Sequence, residues 1–327
     1  MTARRANALV AFGLGVSALL GCSAKLDAGE DTPHGALPID ERSAIVMIND
    51  GPRDNWQGEY AIVLAARRQM QLVGLVAEDS PIYPSVEDNV SGFRQMIQAA
   101  RDSGMTHLPD PTASVVPTLE RPGSGVIEDT VANRSEGARL IVDAAARYGT
   151  RVHPLVIATG SSLTDAADAY LMDRTLSERA VVVSSLGTTT NDGARAGGPN
   201  GDIDTWATTI VTSRMRFVQV NGYYDQLLDL PEARVTELPD NPFGDWMAGK
   251  RAEILDLGSA CDQVSIMASA LPWFASGVTR MRAEPGDDDV PVLTPDPDGQ
   301  IWHVAKSDSD RARDELWAAL KDPATFR

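Results

Sequence analysis

The sequence predicts an α/β fold in which an open, mostly parallel β-sheet is flanked by helices and followed by a mainly helical C-terminal part. Two observations carry that prediction. Short runs rich in Val, Ile and Leu recur at 44–48, 72–77, 155–158, 181–184 and 217–220 without polar alternation, the pattern of strands buried on both faces of a parallel sheet. Between them lie segments of helical periodicity at 60–70, 86–101, 136–148, 163–171 and 205–213. Strands and helices alternating in this way build a parallel sheet covered on both sides.

Taken in order, the first strand runs into Asn49, Asp50, Gly51, Pro52, Arg53, Asp54 and Asn55, a crowd of oxygen-bearing side chains and turn formers ahead of a helix. In an open parallel sheet, ligands bind outside the carboxyl ends of the strands, so this crowd marks where a site is expected. Beyond residue 220, helices are expected at 263–274 and 309–320, and Asp296-Pro297-Asp298-Gly299 reads as the turn of a late hairpin. No fixed-period repeat and no Pro/Gly/Ser linker divides residues 43–327, which read as one large domain.

The first residues carry a different signal. Arg4 and Arg5 precede an uncharged, mostly apolar run at 6–20, followed by Gly21 and Cys22. A charged start and a short apolar run match a secretory signal, too brief to span a bilayer as a permanent helix. Leu19-Leu20-Gly21-Cys22 resembles the bacterial lipobox. That resemblance implies a signal peptide at 1–21, lipidation of Cys22 and an exported lipoprotein of the bacterial cell envelope; the alternative is an ordinary cleaved signal with an incidental Cys. Acyl chains bury at about 0.8 kcal/mol per CH₂ and stable anchoring takes more than one chain, which a lipidated Cys22 would satisfy. Residues 22–42, with Gly, Pro, Asp, Glu and Ser and few large apolar side chains, read as a flexible tether.

The formal charge is −17, and removing a signal that carries two arginines makes the remainder more acidic. Nucleic acid and anionic lipid surfaces are therefore excluded as expected partners; contact with a membrane runs through the lipid anchor only. The two cysteines are Cys22 and Cys261. With the first consumed by lipid, no internal disulfide is expected and the domain must rely on its core.

Four separated segments are similar to the nucleoside hydrolase family, whose members cleave the N-glycosidic bond of ribonucleosides with bound calcium. The family opens with a strand ending Asp-Thr-Asp-Pro-Gly-x-Asp-Asp, and Asp50, Asp54 and Asn55 align with its third, seventh and eighth positions. Ile48 replaces the first Asp, Asn55 the last, and Gly51 and Pro52 are displaced. The run 155–160, followed by Leu163-Thr164-Asp165-Ala166-Ala167, resembles the family strand leading into Gly-Pro-Leu-Thr-Asn-x-Ala, and Ser184-Ser185-Leu186-Gly187 its Met-Gly-Gly. Asn200 aligns with the Asn of Glu-Phe-Asn and Asp204 with a helix-capping Asp, whereas Gly198 stands where the ribose-binding Glu is expected. Cys261-Asp262 is similar to the family's His-Asp, with the Asp kept and the His changed. Together these segments span most of 44–275.

The resemblance implies a nucleoside-hydrolase-like fold and a calcium shell of Asp50, Asn55, Asp262 and the carbonyl of Thr159. Asp50 would also be the general base, and Asn200 and Asp54 would contact the substrate. Calcium takes about six to eight hard oxygen ligands, and this set supplies such atoms. The implied reaction is calcium-dependent hydrolysis of an N-glycosidic bond in a ribonucleoside or related glycoside; family relatives also imply a homo-oligomer. A rival reading is a non-catalytic nucleoside- or sugar-binding lipoprotein on the same fold, suggested by the changes at Ile48, Asn55, Gly198 and Cys261. A third is a different hydrolase chemistry using Asp54 and Glu59.

Each residue also has a structural reading. Asp50 and Asp54 would cap a helix and satisfy turn amides, Asp262 would be the N-cap of the helix after it, and Asn200 a turn residue. Cys261 reads as a small buried apolar residue, and His153 and His303 as structural. Trp56, Tyr223, Tyr224 and Trp246 would either stack on a base or belong to the core or rim.

Overall fold

The computed structural model describes residues 37–52, 56–185, 194–195, 199–220, 232–253, 262–286 and 290–327. Cys22, Asp54, Asn55, Gly198, Tyr223, Tyr224 and Cys261 lie outside the described residues. The strands are β1 Ala44–Asn49, β2 Gln71–Glu78, β3 Pro111–Ser114, β4 Leu155–Thr159, β5 Ala180–Ser184, β6 Ala194–Arg195, β7 Arg216–Val220, β8 Ala275–Glu284, β9 Val292–Pro295 and β10 Ile301–Ser307. The helices are α1 Gln57–Ala66, α2 Val86–Asp102, α3 Glu136–Tyr148, α4 Thr164–Met172, α5 Leu176–Arg179, α6 Pro199–Ile203, α7 Thr205–Arg214, α8 Pro242–Glu253, α9 Gln263–Ala270 and α10 Ser309–Lys321.

The strands form one sheet in the order β3-β2-β1-β4-β5-β7-β10-β8-β9-β6. From β3 to β10 all neighbours are parallel, and β8, β9 and β6 continue antiparallel. This is the expected open, mostly parallel sheet. Successive residues of a strand face opposite sides, and the core divides accordingly. Ile45, Met47, Leu75 and Val183 pack on one face with Tyr60, Phe93 and Phe274. Val46, Ile48, Val76 and Val182 pack on the other with Ile141, Ala166 and Ile210. The chain leaves β1 outward to β2 and β3, then returns to place β4 on β1's other side. That reversal makes the carboxyl ends of β1 and β4 a switch point, where a crevice opens.

Several helix ends follow from local chemistry. Ser135 caps α3 by accepting from the N–H of Ala138 at 3.1 Å, and Asp204 caps α7 by accepting from that of Ala207 at 2.9 Å. Helix α9 stops at Ala270, short of 274, because Pro272 holds Leu271 extended at φ −116°, ψ 97°.

The part after residue 220 carries helices α8, α9 and α10 and also three strands. The expected hairpin is corrected. The turn forms, with Gly299 N–H donating to Asp296 O at 3.0 Å, but β9 and β10 do not pair. Each is antiparallel to β8, which lies between them, so the two run in the same direction and the turn crosses over β8 at Met281. All described residues fall in the unit His34–Arg327. Leu37 and Ile39, inside the stretch expected as tether, pack against the core. Among the described residues no helix is long and apolar enough to cross a membrane.

Candidate functional site

β1 delivers Asn49 and Asp50 to the switch point, and both are buried, at 1% and 5% exposure. The next residues turn sharply because Asn49 Oδ1 accepts the N–H of Gly51 at 2.9 Å. Beside them, β4 ends in Thr159 and Gly160, and the Gly160 N–H donates to Ile48 O at 3.0 Å. Gly160 is required there: a Cβ on it would lie 2.3 Å from Cβ of Asp262. The chain thus brings Asp262 into contact with the β4 end.

Asp262 sits at the position expected for an N-cap of α9, but its side chain makes no capping bond. Its carboxylate turns inward instead. Oδ1 accepts from Ser185 Oγ at 2.8 Å and from Asn200 Nδ2 at 3.0 Å, and Oδ2 faces Asn49 Nδ2 at 3.5 Å. Asn200 Nδ2 also donates to Ser185 O at 3.2 Å. Residues from the ends of β1, β4 and β5, from α6 and from the start of α9 therefore meet at one carboxylate. Of the expected site residues, Asn200 and Asp262 touch directly, and Asp50 follows the Asn49 that meets Asp262. Thr159 is buried and contributes a hydroxyl that accepts from the Ser161 N–H at 3.1 Å.

Asn49 and Ser185 were not predicted. Asn49 lay within the motif but reads there as one turn former among several; Ser185 lay in the run similar to the family's Met-Gly-Gly, where nothing singles it out. A groove of about 450 Å³ opens beside Gly51 and Pro52, walled by Tyr83, Asp88 and Asn89.

Next to this site lies a second buried group of acids. Glu78 ends β2 and Asp165 starts α4, both fully buried. Glu78 Oε2 accepts from Ser162 Oγ at 3.2 Å, and Asp165 Oδ1 accepts from Ser114 Oγ at 3.1 Å and from Ser135 Oγ. Gly137 allows this approach, since a Cβ there would lie 2.0 Å from Asp165 Oδ2. Burial pushes the Glu78 carboxyl well above its ordinary 4.5, and the charge of Asp165, its hydrogen bond and the charge of Asp50 push further. Asp165 is also raised, chiefly by burial, while hydrogen bonds from Ser135, Glu78 and Ser114 hold it down. Glu78 keeps the proton and donates it toward Asp165. An acid raised on folding stabilises the folded state fully below its unfolded value, and that stability is lost as pH climbs toward the folded value. Stability should therefore decline above about pH 4.5, by up to about 1.4 kcal/mol per pH unit for one retained proton. Glu78→Gln keeps a donor toward Asp165 and should flatten the decline in melts run from about pH 5 to pH 9; an unchanged slope would refute the assignment.

Glu59 is fully buried and paired. Its oxygens accept from Lys250 Nζ at 2.9 Å each, and Trp246 Nε1 donates to it at 3.0 Å. Lys250 lies 4.6 Å from the Trp56 ring centroid. Glu59's part in the hydrolase reading with Asp54 is thereby corrected, Asp54 lying outside the described residues, and Trp56 and Trp246 belong to this buried cluster. His153 Nδ1 lies 3.1 Å from Asp40 Oδ1, and His303 is buried in β10, with its pKa lowered by that burial.

Several solved structures match over nearly their whole length. The purine-preferring ribonucleoside hydrolase from Gardnerella vaginalis shares 13% identity at a TM-score of 0.56, with 86% of this chain and 100% of that one covered. The inosine-uridine preferring nucleoside hydrolase from Bacillus anthracis gives 12% identity and 0.57, covering 85% and 99%. The chain has the nucleoside hydrolase fold. The type III effector XopQ complexed with adenosine diphosphate ribose matches at 13% identity and a TM-score of 0.55, covering 89% and 96%. No family model and no curated protein sequence matches.

On this fold the calcium implied by the sequence resemblance can be tested against the donors present. Asp50 and Asp262 are buried carboxylates at the switch point. The carbonyl of Gly160 and Oδ2 of Asp262 each lie 3.5 Å from the same nitrogen, Asn49 Nδ2. Two buried carboxylates and a backbone carbonyl are hard oxygen donors of the kind calcium takes, and in donor chemistry they fit. Among the described residues no three His, Cys, Asp or Glu side chains form such a group, so carbonyl and amide oxygens and water would complete the shell.

Proposed function

We propose that this chain hydrolyses the N-glycosidic bond of a ribonucleoside or related ribose-bearing glycoside, with calcium bound at the switch point. One observation carries the reading: Asp262, which lies 213 residues from Asn49 in sequence, meets it at the end of β1. The names of the structural neighbours support the substrate class, since two are nucleoside hydrolases and a third was solved with adenosine diphosphate ribose.

Asp50, Asp262, the Thr159 carbonyl and Asn55 would hold the cation, which when bound supplies Lewis acidity that orients a water and lowers its pKa. Asp50 takes the proton from the attacking water. As the base departs, the sugar develops oxocarbenium-like positive charge, and the carboxylates of Asp50 and Asp262 stabilise it. Ser185 and Asn200 fix the Asp262 carboxylate through two donors on one oxygen. A sugar hydroxyl would meet Asn200 through its amide oxygen, and Asp54 through its carboxylate.

Base release from a panel of ribonucleosides with added calcium tests the reading. Turnover on at least one riboside is expected. Calorimetric binding without turnover would replace it with the non-catalytic reading, which the engagement of Asp262 by three neutral donors favours.

The proposal includes tethering through a lipidated Cys22 on the bacterial envelope. Cys22→Ser should move the protein from the membrane fraction to the soluble fraction; an unchanged distribution would exclude the anchor.

A further inference from the structure

The geometry points to Asn49 as a built-in competitor for the cation: its side-chain amide holds the place between the Gly160 carbonyl and the Asp262 carboxylate. The inference rests on the calcium shell proposed above and concerns its affinity.

The orientation of the amide is fixed. The N–H of Gly51 donates to Asn49 Oδ1 at 2.9 Å, and a backbone N–H can meet only the oxygen end of an amide. The NH₂ end is thereby turned toward Gly160 O and Asp262 Oδ2, each at 3.5 Å. Both contacts are at the long, weak limit of hydrogen bonding, so the group is placed there without being locked.

An amide NH₂ and a calcium ion offer the two oxygens the same sign of charge. They cannot share the space. Gly160 O is one residue beyond the Thr159 carbonyl of the expected shell, and Asp262 Oδ1 already accepts from Ser185 and Asn200. Oδ2, which the amide faces, is the oxygen that amide and cation contest. A cation reaching it must turn the Asn49 side chain away, which also breaks the bond that closes the turn at Gly51. The residue at position 49 therefore sets how weakly the site holds a divalent ion, and it keeps the Asp262 carboxylate in position when no ion is bound.

Calorimetric titration of the purified chain with calcium chloride, beside Asn49→Asp and Asn49→Ser, tests this. The Asp variant keeps the size and the acceptor for Gly51 and replaces the NH₂ with an oxygen. The Ser variant removes the amide. Both should bind calcium about tenfold more tightly than wild type, the scale set by losing a competing hydrogen bond to a charged acceptor. The calcium-induced rise in melting temperature should grow in step. Equal or tighter binding by the wild type, or no uptake by any of the three folded proteins, would overturn the inference. Riboside turnover by the wild type without a gain in the variants would sink the role of Asn49 alone. A tenfold gain in a chain that turns over no riboside would uphold that role and sink only the reaction.

Discussion

Replacing Asp50 with Asn is expected to lower kcat/KM on the best riboside of the panel by about a thousandfold, the scale of a lost general base. Asp50 is buried at 5% exposure where β1 enters the switch point, and Asn has nearly the same shape. The fold should therefore survive, with an unchanged circular dichroism spectrum. The amide cannot accept the water's proton at neutral pH, and in the proposed reaction it would remove one of the two carboxylates assigned to the developing positive charge. Both losses act in the transition state, so the effect should fall on kcat more than on KM. A variant that retains turnover within a few-fold would remove Asp50 from the chemistry.

The largest loss of stability is expected from Lys250→Met. Lys250 and Glu59 are both 1% exposed and joined at 2.9 Å, tying α8 to α1. Removing the ammonium leaves a buried carboxylate without the charge that both its oxygens face, a change that costs about 3–5 kcal/mol. Glu59→Gln combined with Lys250→Met should recover most of that loss, because no charge then remains buried. Urea denaturation of the three variants reads both values. A loss below about 1 kcal/mol, the scale of an exposed ion pair, would show that water reaches the pair.

The Glu59 pairing shows why part of the site could not be read from the chain. Near the first motif Glu59 looks like one more acid beside Asp54, and its partner lies 191 residues away on a helix with no matching signal. Asp262 is the reverse case: its position predicts a helix cap, and the cap bond is absent because Ser185, Asn200 and Asn49 draw the carboxylate inward. Sequence similarity found Asp262, but its surroundings were set by contacts between separated segments.

The sequence by itself determined the parallel α/β sheet, helix α3 from Glu136 to Tyr148 and the capping role of Asp204. Those properties depend on side-chain periodicity and on bonds spanning a few residues, so they are written locally. Only the tertiary structure decided that β8 separates β9 from β10, that Glu78 shares its surroundings with Asp165, and that the Asn49 amide stands between the Gly160 carbonyl and the Asp262 carboxylate. Pairing across a sheet and the burial of charge depend on which distant segments meet, and that is settled by packing the whole core.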